Sequence, residues 1–149
     1  ADCGQTCNVG IGVGEWDDWL GYWLLGHGTL ASVDIDERIV EGLSIRQRRQ
    51  GHPNPARVIH GDLLQATLGP FDLVTVVGST LQETHAPAQA LRAAVSWVRP
   101  GGWLYATALH SLSDPTWLFD ALGGVQHRAR FDALPDAEFT AVLARRAQA

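Results

Sequence analysis

The chain has 149 residues, of which 46% are hydrophobic and 18% are charged, and its net charge is −5. These values are typical of one globular domain and exclude a disordered chain. The acidic balance argues against a nucleic-acid partner, because binding to phosphates needs clustered basic residues. The sequence has no lysine, which excludes a P-loop lysine and Schiff-base chemistry.

The two cysteines, Cys3 and Cys7, are the only ones in the chain and have no second pair at ligand spacing, so we predict neither a disulfide framework nor a metal site. We see no apolar stretch that could span a membrane and no leader, which favours a cytoplasmic protein without a membrane partner. The initiator methionine is missing, and the first motif begins a few residues after Ala1. We therefore expect a single domain over residues 1–149 that lacks an amino-terminal segment.

Predicted strands and helices alternate along most of the chain. In order, the pattern predicts a strand at 5–9, a helix at 16–26, a strand at 29–33, a helix from Glu37, strands at 56–60 and 71–77, a helix at 86–98 and a strand at 103–109. Prolines and glycines predict turns at 51–55 and 99–102. This alternation is typical of an α/β fold with a mainly parallel sheet.

The tail departs from this pattern. After a helix near 114–122, strands at 125–131 and 139–145 are separated by a short turn at 134–136. Such a turn is too short for a crossover helix, so we predict an antiparallel hairpin at the carboxyl end of the chain.

A glycine turn follows the first strand, with Gly10, Gly12 and Gly14 leading into a helix. This arrangement exposes backbone N–H groups to a ligand at the positive end of the helix dipole. By itself the motif is weak, because glycines also form simple tight connections. A nicotinamide dinucleotide would ask for a further glycine where Glu15 stands, and the charge of Glu15 would face a pyrophosphate.

Acidic residues follow the second and third predicted strands. Asp34 lies 20 residues after Gly14, where a carboxylate can accept both hydroxyls of a ribose. Asp36 is better placed to cap the next helix, which leaves Asp34 free to bind. Asp62 follows the third strand beside the same crevice, either as a ligand residue or as a loop cap. The concentration of negative charge from Glu15, Asp34 and Asp62 favours a cationic nucleoside over a polyphosphate as the ligand.

These motifs together resemble, in order and spacing, those of class I S-adenosylmethionine-dependent methyltransferases. The segment 8–14 is similar to the family's acid-x-G-x-G-x-G motif, and the matching later segments are 33–36, 61–63, 71–74 and 98–102. The resemblance implies a Rossmann-like, doubly wound sheet of seven strands, mainly parallel, with a carboxyl-terminal antiparallel hairpin. It also implies S-adenosylmethionine as the cofactor.

The resemblance further implies which residues bind that cofactor. They are Asn8, Gly10, Gly12, Gly14, Asp34, Ile35, Asp62, Leu63, Gly78 and Ser79. Asn8 is a departure, because the family has an acid there that faces the methionine ammonium, and an amide lacks that charge. On this basis Asn8→Asp is expected to strengthen binding.

The reaction is predicted less closely than the cofactor. The segment 78–82 lacks the Asn/Asp-Pro-Pro-aromatic motif of related enzymes that methylate bases and glutamine, which favours O-, N- or C-methylation of a small molecule. Glu83, His85 and His110 follow the fourth and fifth strands as candidate general bases, or as solvated loop residues. Two alternatives stay open: an aminocarboxypropyl transferase using the same cofactor, and a catalytically silent interaction domain. The open front of the site predicts either a homodimer or a dependence on the absent amino-terminal segment.

Overall fold

The computed structural model describes residues 3–109, 122–132 and 139–148, with 126–132 described by their backbone alone. The strands are β1 (Gln5–Val9), β2 (Thr29–Asp34), β3 (Arg57–His60), β4 (Phe71–Val76), β5 (Val98–Leu109), β6 (Val125–Asp132) and β7 (Phe139–Arg146). The helices are α1 (Glu15–Trp23), α2 (Glu37–Arg49), α3 (Thr80–Glu83) and α4 (Pro87–Trp97). Of the helices in these ranges, none combines the length and apolar composition needed to cross a membrane.

One sheet joins the strands in the order β3-β2-β1-β4-β5-β7-β6. Strands β1 to β5 pair in parallel, whereas β7 pairs antiparallel with both β5 and β6. The predicted fold class, a mainly parallel α/β sheet that ends in an antiparallel pair, is therefore confirmed. The order reverses between β1 and β4, and open α/β sheets bind ligands beside the carboxyl ends of the strands at such a reversal.

Local structure differs from the sequence prediction at the start of β5 and after β4. β5 begins at Val98 rather than at 103, because residues 99–102 stay beside β4 with a register shift between Phe71 and Leu73 instead of leaving as a turn. The short helix α3 was not predicted, since four residues carry no detectable period. The helix predicted near 114–122 lies outside the described residues, apart from its last position, and so does the turn at 134–136.

Helix α4 covers one face of the sheet, which we call the apolar face. Its buried residues recur every three or four positions, as an amphipathic helix requires: Ala90, Leu91, Ala94, Val95 and Trp97. They belong to one cluster with inward-facing residues of β1, β4 and β5, including Cys7, Val9, Val74, Val76, Leu104 and Ala106. Burial of this cluster is the main stabilising contribution that the fold offers.

The opposite face carries α1 and α2, and we call it the α1 face. Leu20 of α1 and Leu24, which directly follows α1, pack on Leu30 and Leu73 in a smaller cluster. Trp16, Trp19 and Trp23 stack along α1, with ring centroids 5.0 and 6.0 Å apart. Trp19 is 52% exposed and Trp23 is 42% exposed, so this face leaves aromatic surface in contact with solvent.

Candidate functional site

A cleft of two connected hollows opens at the carboxyl edge of the sheet, beside the reversal in strand order. The turn lobe, of about 570 Å³, lies over the glycine turn, the end of β2 and the residues after β4. The acidic lobe, of about 340 Å³, lies between the end of β2, the loop after β3 and α3. Gly10, Asp34, Ile35, Thr80 and Glu83 line both lobes, which therefore form one continuous cleft.

The glycine turn has the backbone geometry that its sequence predicts. Gly10, Gly12 and Gly14 have φ values of +84°, +57° and +82°, a region that favours glycine. A Cβ on Gly10 would lie 2.1 Å from Oγ1 of Thr80, whereas a Cβ on Gly12 would meet nothing within 4 Å. The turn is therefore packed against α3 at Gly10 and open towards the cleft at Gly12.

Asp34 connects the end of β2 to the glycine turn. Its Oδ2 accepts a hydrogen bond of 2.8 Å from the backbone N–H of Ile11, and its Oδ1 accepts one of 2.9 Å from the N–H of Asp36. Each oxygen of Asp34 thus accepts one backbone hydrogen bond and keeps a lone pair for a ligand, so the binding of a ligand by Asp34 stays a prediction. The predicted cap is confirmed, since Asp36 accepts from the N–H of Arg38 at 2.9 Å.

The acidic lobe contains the other residues expected on the nucleoside side. Asp62 Oδ1 accepts from the N–H of Leu64 at 2.8 Å, which leaves Oδ2 for another donor. Leu63 is buried and forms part of the floor, and Ile35 is 67% exposed at the rim. These side chains lie together with Asp34, so the lobe combines apolar surface with two carboxylates.

Gly78 and Ser79 follow β4 and line the turn lobe. The N–H of Gly78 donates to Oγ1 of Thr107 at 2.9 Å, and the hydroxyl of Ser79 donates to Glu83 at 2.5 Å. Glu83 and His85 line the acidic lobe. His110 lies outside the described residues. Within the ranges that the structure describes, no three His, Cys, Asp or Glu side chains come together as a metal ion would need.

A third hollow of about 230 Å³ adjoins the turn lobe, and we call it the aromatic lobe. Its lining residues are Trp16, Val77, Gly78, Tyr105, Thr107, Leu109 and Phe139. It shares the first three of these with the turn lobe. All of these described lining residues are uncharged at neutral pH, so this part of the cleft differs sharply from the acidic lobe.

Four polar residues are buried beneath the glycine turn, and we call them the polar quartet: Asn8, Asp17, Ser32 and Thr75. The sheet register places Asn8 opposite Ser32 on β2 and opposite Thr75 on β4. Asp17 reaches the same row from the first turn of α1. Exposure of these side chains is 0 to 1%, so their hydrogen bonds form away from water.

Asn8 is at the centre of the quartet. Its Nδ2 donates to Asp17 Oδ1 at 2.9 Å and to the carbonyl of Gly10 at 3.2 Å, and its Oδ1 accepts from Thr75 at 2.8 Å. Ser32 also donates to Asp17 Oδ1, at 2.5 Å. Asn8 is therefore occupied by internal contacts, and the only acid in the quartet is Asp17.

The pKa values of the neighbouring carboxyls of Asp17 and Asp18 are shifted in opposite directions. Burial raises the pKa of Asp17, and the hydrogen bonds from Ser32 and Asn8 offset only part of that effect. Partial burial also acts to raise the pKa of Asp18, but hydrogen bonds from Arg46 and Gln47 outweigh it and lower the pKa. The Arg46 contact is an ion pair of 2.5 Å.

Three residues of the site were missed by the sequence analysis: Trp16, Asp17 and Thr80. Trp16 enters the sequence analysis only as the first residue of a predicted helix, yet it lines the turn and aromatic lobes. Asp17 lies three residues before Leu20 on the inward side of α1, where an acid is unexpected and signals a buried partner. For Thr80 the sequence carries no local signal, because its contact with Gly10 depends on how α3 packs.

The sequence matches the family described as "Methyltransferase domain" over residues 7–106, which is about two-thirds of the chain. A search of curated proteins gave no match.

Solved structures with the same fold are similar to nearly the whole chain. A TehB-like S-adenosylmethionine-dependent methyltransferase from Corynebacterium glutamicum is 17% identical, with a TM-score of 0.74 over 98% of this chain and 82% of that one. The N-methyltransferase NodS from Bradyrhizobium japonicum is 20% identical, with a TM-score of 0.69 over 97% and 86%. Magnesium protoporphyrin IX methyltransferase from Synechocystis, with bound S-adenosylmethionine, is 16% identical, with a TM-score of 0.71 over 96% and 70%.

Proposed function

The chain belongs to the class I S-adenosylmethionine-dependent methyltransferases, and from this premise we propose that it methylates a small molecule whose acceptor atom enters the cleft from the aromatic lobe. The observation that carries the proposal is the position of Asp34. It lines both the turn lobe and the acidic lobe, beside the open side of Gly12. A nucleoside with a charged amino-acid arm needs two such connected hollows.

The residues of the cleft fit this cofactor. Asp34 offers carboxylate lone pairs to the ribose hydroxyls, and Asp62 with Leu63 and Ile35 offers a polar edge and apolar walls to the adenine. Gly12 carries no side chain that would block the backbone N–H groups from the rest of the cofactor. Gly78 and Ser79 form the floor of the turn lobe. Among the expected cofactor residues, Asn8 is the one whose side chain is fully buried away from the cleft.

The chemistry needs little from the protein beyond alignment. S-adenosylmethionine supplies an activated methyl group on its sulfonium, and displacement requires a nucleophile held in line near it. Trp16 and Gly78 lie between the turn lobe and the aromatic lobe, so they are the residues beside which an acceptor atom would be held. Trp16 is itself fixed, because its Nε1 donates to Thr75 at 3.2 Å.

The acceptor that suits the aromatic lobe is an apolar or aromatic small molecule. Tyr105 and Phe139 contribute aromatic surface. The polar side-chain groups of the described lining are the hydroxyls of Tyr105 and Thr107 and the indole N–H of Trp16. Glu83 and His85 line the acidic lobe instead, and Glu83 is held by Ser79. We therefore propose that Glu83 and His85 act on the cofactor side of the cleft. Where the acceptor must lose a proton, we propose that a basic group of the acceptor itself or His110 takes it.

The experiment is a calorimetric titration with S-adenosylhomocysteine, comparing Asp34→Asn with Glu41→Gln, which removes an exposed charge from α2. We expect wild type and Glu41→Gln to bind alike, and Asp34→Asn to bind at least about tenfold more weakly, because it loses a charge-assisted acceptor. Wild type that does not bind would overturn the proposed function. Equal binding by Asp34→Asn would overturn the assignment of the ribose to Asp34.

A homodimer is the second part of the proposal. The stacked Trp19 and Trp23 expose aromatic surface on the α1 face, and extended exposed apolar surface is typical of an interface. Light scattering on the wild-type chain and on Trp19→Ser tests it: we expect a dimer that the substitution weakens. A wild-type monomer at high concentration would contradict it.

A further inference from the structure

A buried carboxylate that has no cationic partner among the described residues lies beneath the glycine turn. Asp17 is 0% exposed, and within the described part of the chain no arginine forms an ion pair with it. Its Oδ2 has no hydrogen-bond partner among the described residues, while Oδ1 accepts from both Asn8 and Ser32. The adjacent Asp18 is the opposite case, since it is paired with Arg46 and Gln47.

Such a charge is costly for a fold that only has to fill space. Burying a carboxylate without an opposite charge is unfavourable, and two neutral donors on one oxygen compensate only part of that cost. An amide at position 17 would remove the cost of the charge and keep an oxygen that accepts from Asn8 and Ser32. A charge of this kind is offset when a cation occupies the space next to it, because the low dielectric of the interior strengthens the attraction.

One residue connects this charge to the cleft. The amide of Asn8 donates one hydrogen to Asp17 and the other to the carbonyl of Gly10, which lines both the turn lobe and the acidic lobe. The turn is fixed there, because Thr80 packs against Gly10. Only the amide of Asn8 therefore separates the Asp17 carboxylate from the Gly10 carbonyl at the wall of the cleft. The electric field of the carboxylate acts on a charged ligand group bound at the glycine turn.

We propose that Asp17 is a positioning residue that holds the cationic amino-acid arm of the cofactor at the glycine turn, acting through Asn8 and through its buried charge. The proposal rests on the proposed function, since it presumes that the cofactor of this family binds in the cleft. It assigns to helix α1 an acid that the sequence analysis expected at position 8 of strand β1. Asp17 does not touch the cofactor in this account, so its effect depends on charge and on the orientation of Asn8.

The test compares two ligands that differ in the arm alone. S-adenosylhomocysteine carries the amino-acid arm with its ammonium, and 5′-methylthioadenosine keeps the nucleoside and lacks the arm. In Asp17→Asn, the shape of the side chain is retained and the charge is lost. We expect S-adenosylhomocysteine to bind about tenfold more weakly to this variant than to wild type, and 5′-methylthioadenosine to bind within about twofold.

Two further variants make the result specific. Asp18→Asn removes a neighbouring charge that is already paired with Arg46, and we expect it to leave the ratio of the two affinities unchanged. The exchange variant, Asn8→Asp combined with Asp17→Asn, keeps one carboxylate and one amide in the same contact and places the charge closer to the turn, while the Gly10 carbonyl loses its donor. We expect it to restore the ratio to within about threefold of wild type, a rescue that a role in folding alone does not explain.

The outcomes separate cleanly. Equal loss of both ligands in Asp17→Asn, or no loss of either, overturns the proposal while leaving the proposed function intact. Binding of neither ligand by wild type instead overturns the proposed function itself. If Asp17→Asn does not fold, the exchange variant decides: a ratio like that of wild type supports the proposal, and a lost ratio overturns it.

Discussion

The two faces of the sheet are built from different chemistry. On the apolar face, α4 packs on a continuous apolar surface that includes the fully buried Leu91 and Trp97. On the α1 face, the same strands present Asn8, Ser32 and Thr75 side by side. Apolar burial is non-directional, so many well-packed residue sets would hold the sheet. Buried hydrogen-bonded groups tolerate few alternative residue sets, because each donor needs an acceptor in the right position. Here the amide of Asn8 holds the glycine turn by its hydrogen bond to the Gly10 carbonyl.

The largest effect should come from breaking the apolar face. Trp97→Ala removes a side chain that is 1% exposed and should lower the free energy of unfolding by about 3–5 kcal/mol. The control is Ile45→Ala in helix α2 on the α1 face, where the residue is 47% exposed and the substitution should cost less than about 1 kcal/mol. Urea denaturation followed by circular dichroism measures both. Equal losses would show that the two faces contribute alike.

The second effect concerns the stability of a substitution at Asn8. The expectation that Asn8→Asp strengthens cofactor binding stays a prediction, but the structure adds a cost in stability, because the amide lies 2.9 Å from a carboxylate oxygen of Asp17. Two carboxylates in that contact repel each other, and the Gly10 carbonyl loses its donor. We expect the variant to be less stable by about 1–3 kcal/mol near neutral pH and to recover in acid.

The control for that substitution is Gln65→Glu, the same change of an amide to an acid at an exposed position. Thermal unfolding of both variants at neutral and acidic pH gives the comparison. An Asn8→Asp protein as stable as wild type at every pH would contradict the contact between positions 8 and 17.

The smallest effect sharpens the contrast between Asp17 and Asp18. The pKa of Asp17 is raised in the folded chain, so its contribution to stability is present below its unfolded pKa and is lost as pH rises through the folded value. The pKa of Asp18 is lowered, so its contribution is present above the unfolded pKa and is lost as pH falls. Stability relative to wild type should therefore rise with pH for Asp17→Asn and fall for Asp18→Asn, in urea titrations across acidic pH. Slopes of the same sign would contradict the assignment.

Much of the fold was predictable because its signals are local. Glycines and prolines mark the turns. The sequence pattern identifies the start of α2 at Glu37 and both ends of α4 within one residue. The start of β5 was not predictable in the same way. Residues 99–102 carry turn-forming amino acids, yet they stay beside β4 because of a register shift that only the neighbouring strand determines.

In the candidate site, too, some residues have a local sequence signal and others depend on tertiary packing. Gly12, Asp34 and Asp62 belong to short motifs at strand ends, and the structure brings them to one cleft. The link between Asn8 and Asp17 has no such motif, because it depends on the packing of α1 over β1. Sequence reasoning therefore identified the acid missing from position 8, and only the three-dimensional contacts show which carboxylate lies beside it.

The stack of tryptophans along α1 also places intrinsic fluorophores beside the cleft. Trp16 lines the turn lobe and the aromatic lobe, and its ring stacks on Trp19, which in turn stacks on Trp23. A ligand that enters the cleft changes the polarity around the first ring, and rings at this spacing exchange excitation energy. We therefore expect occupancy of the cleft to change the intrinsic fluorescence, and we expect Trp16→Phe to lose most of that change.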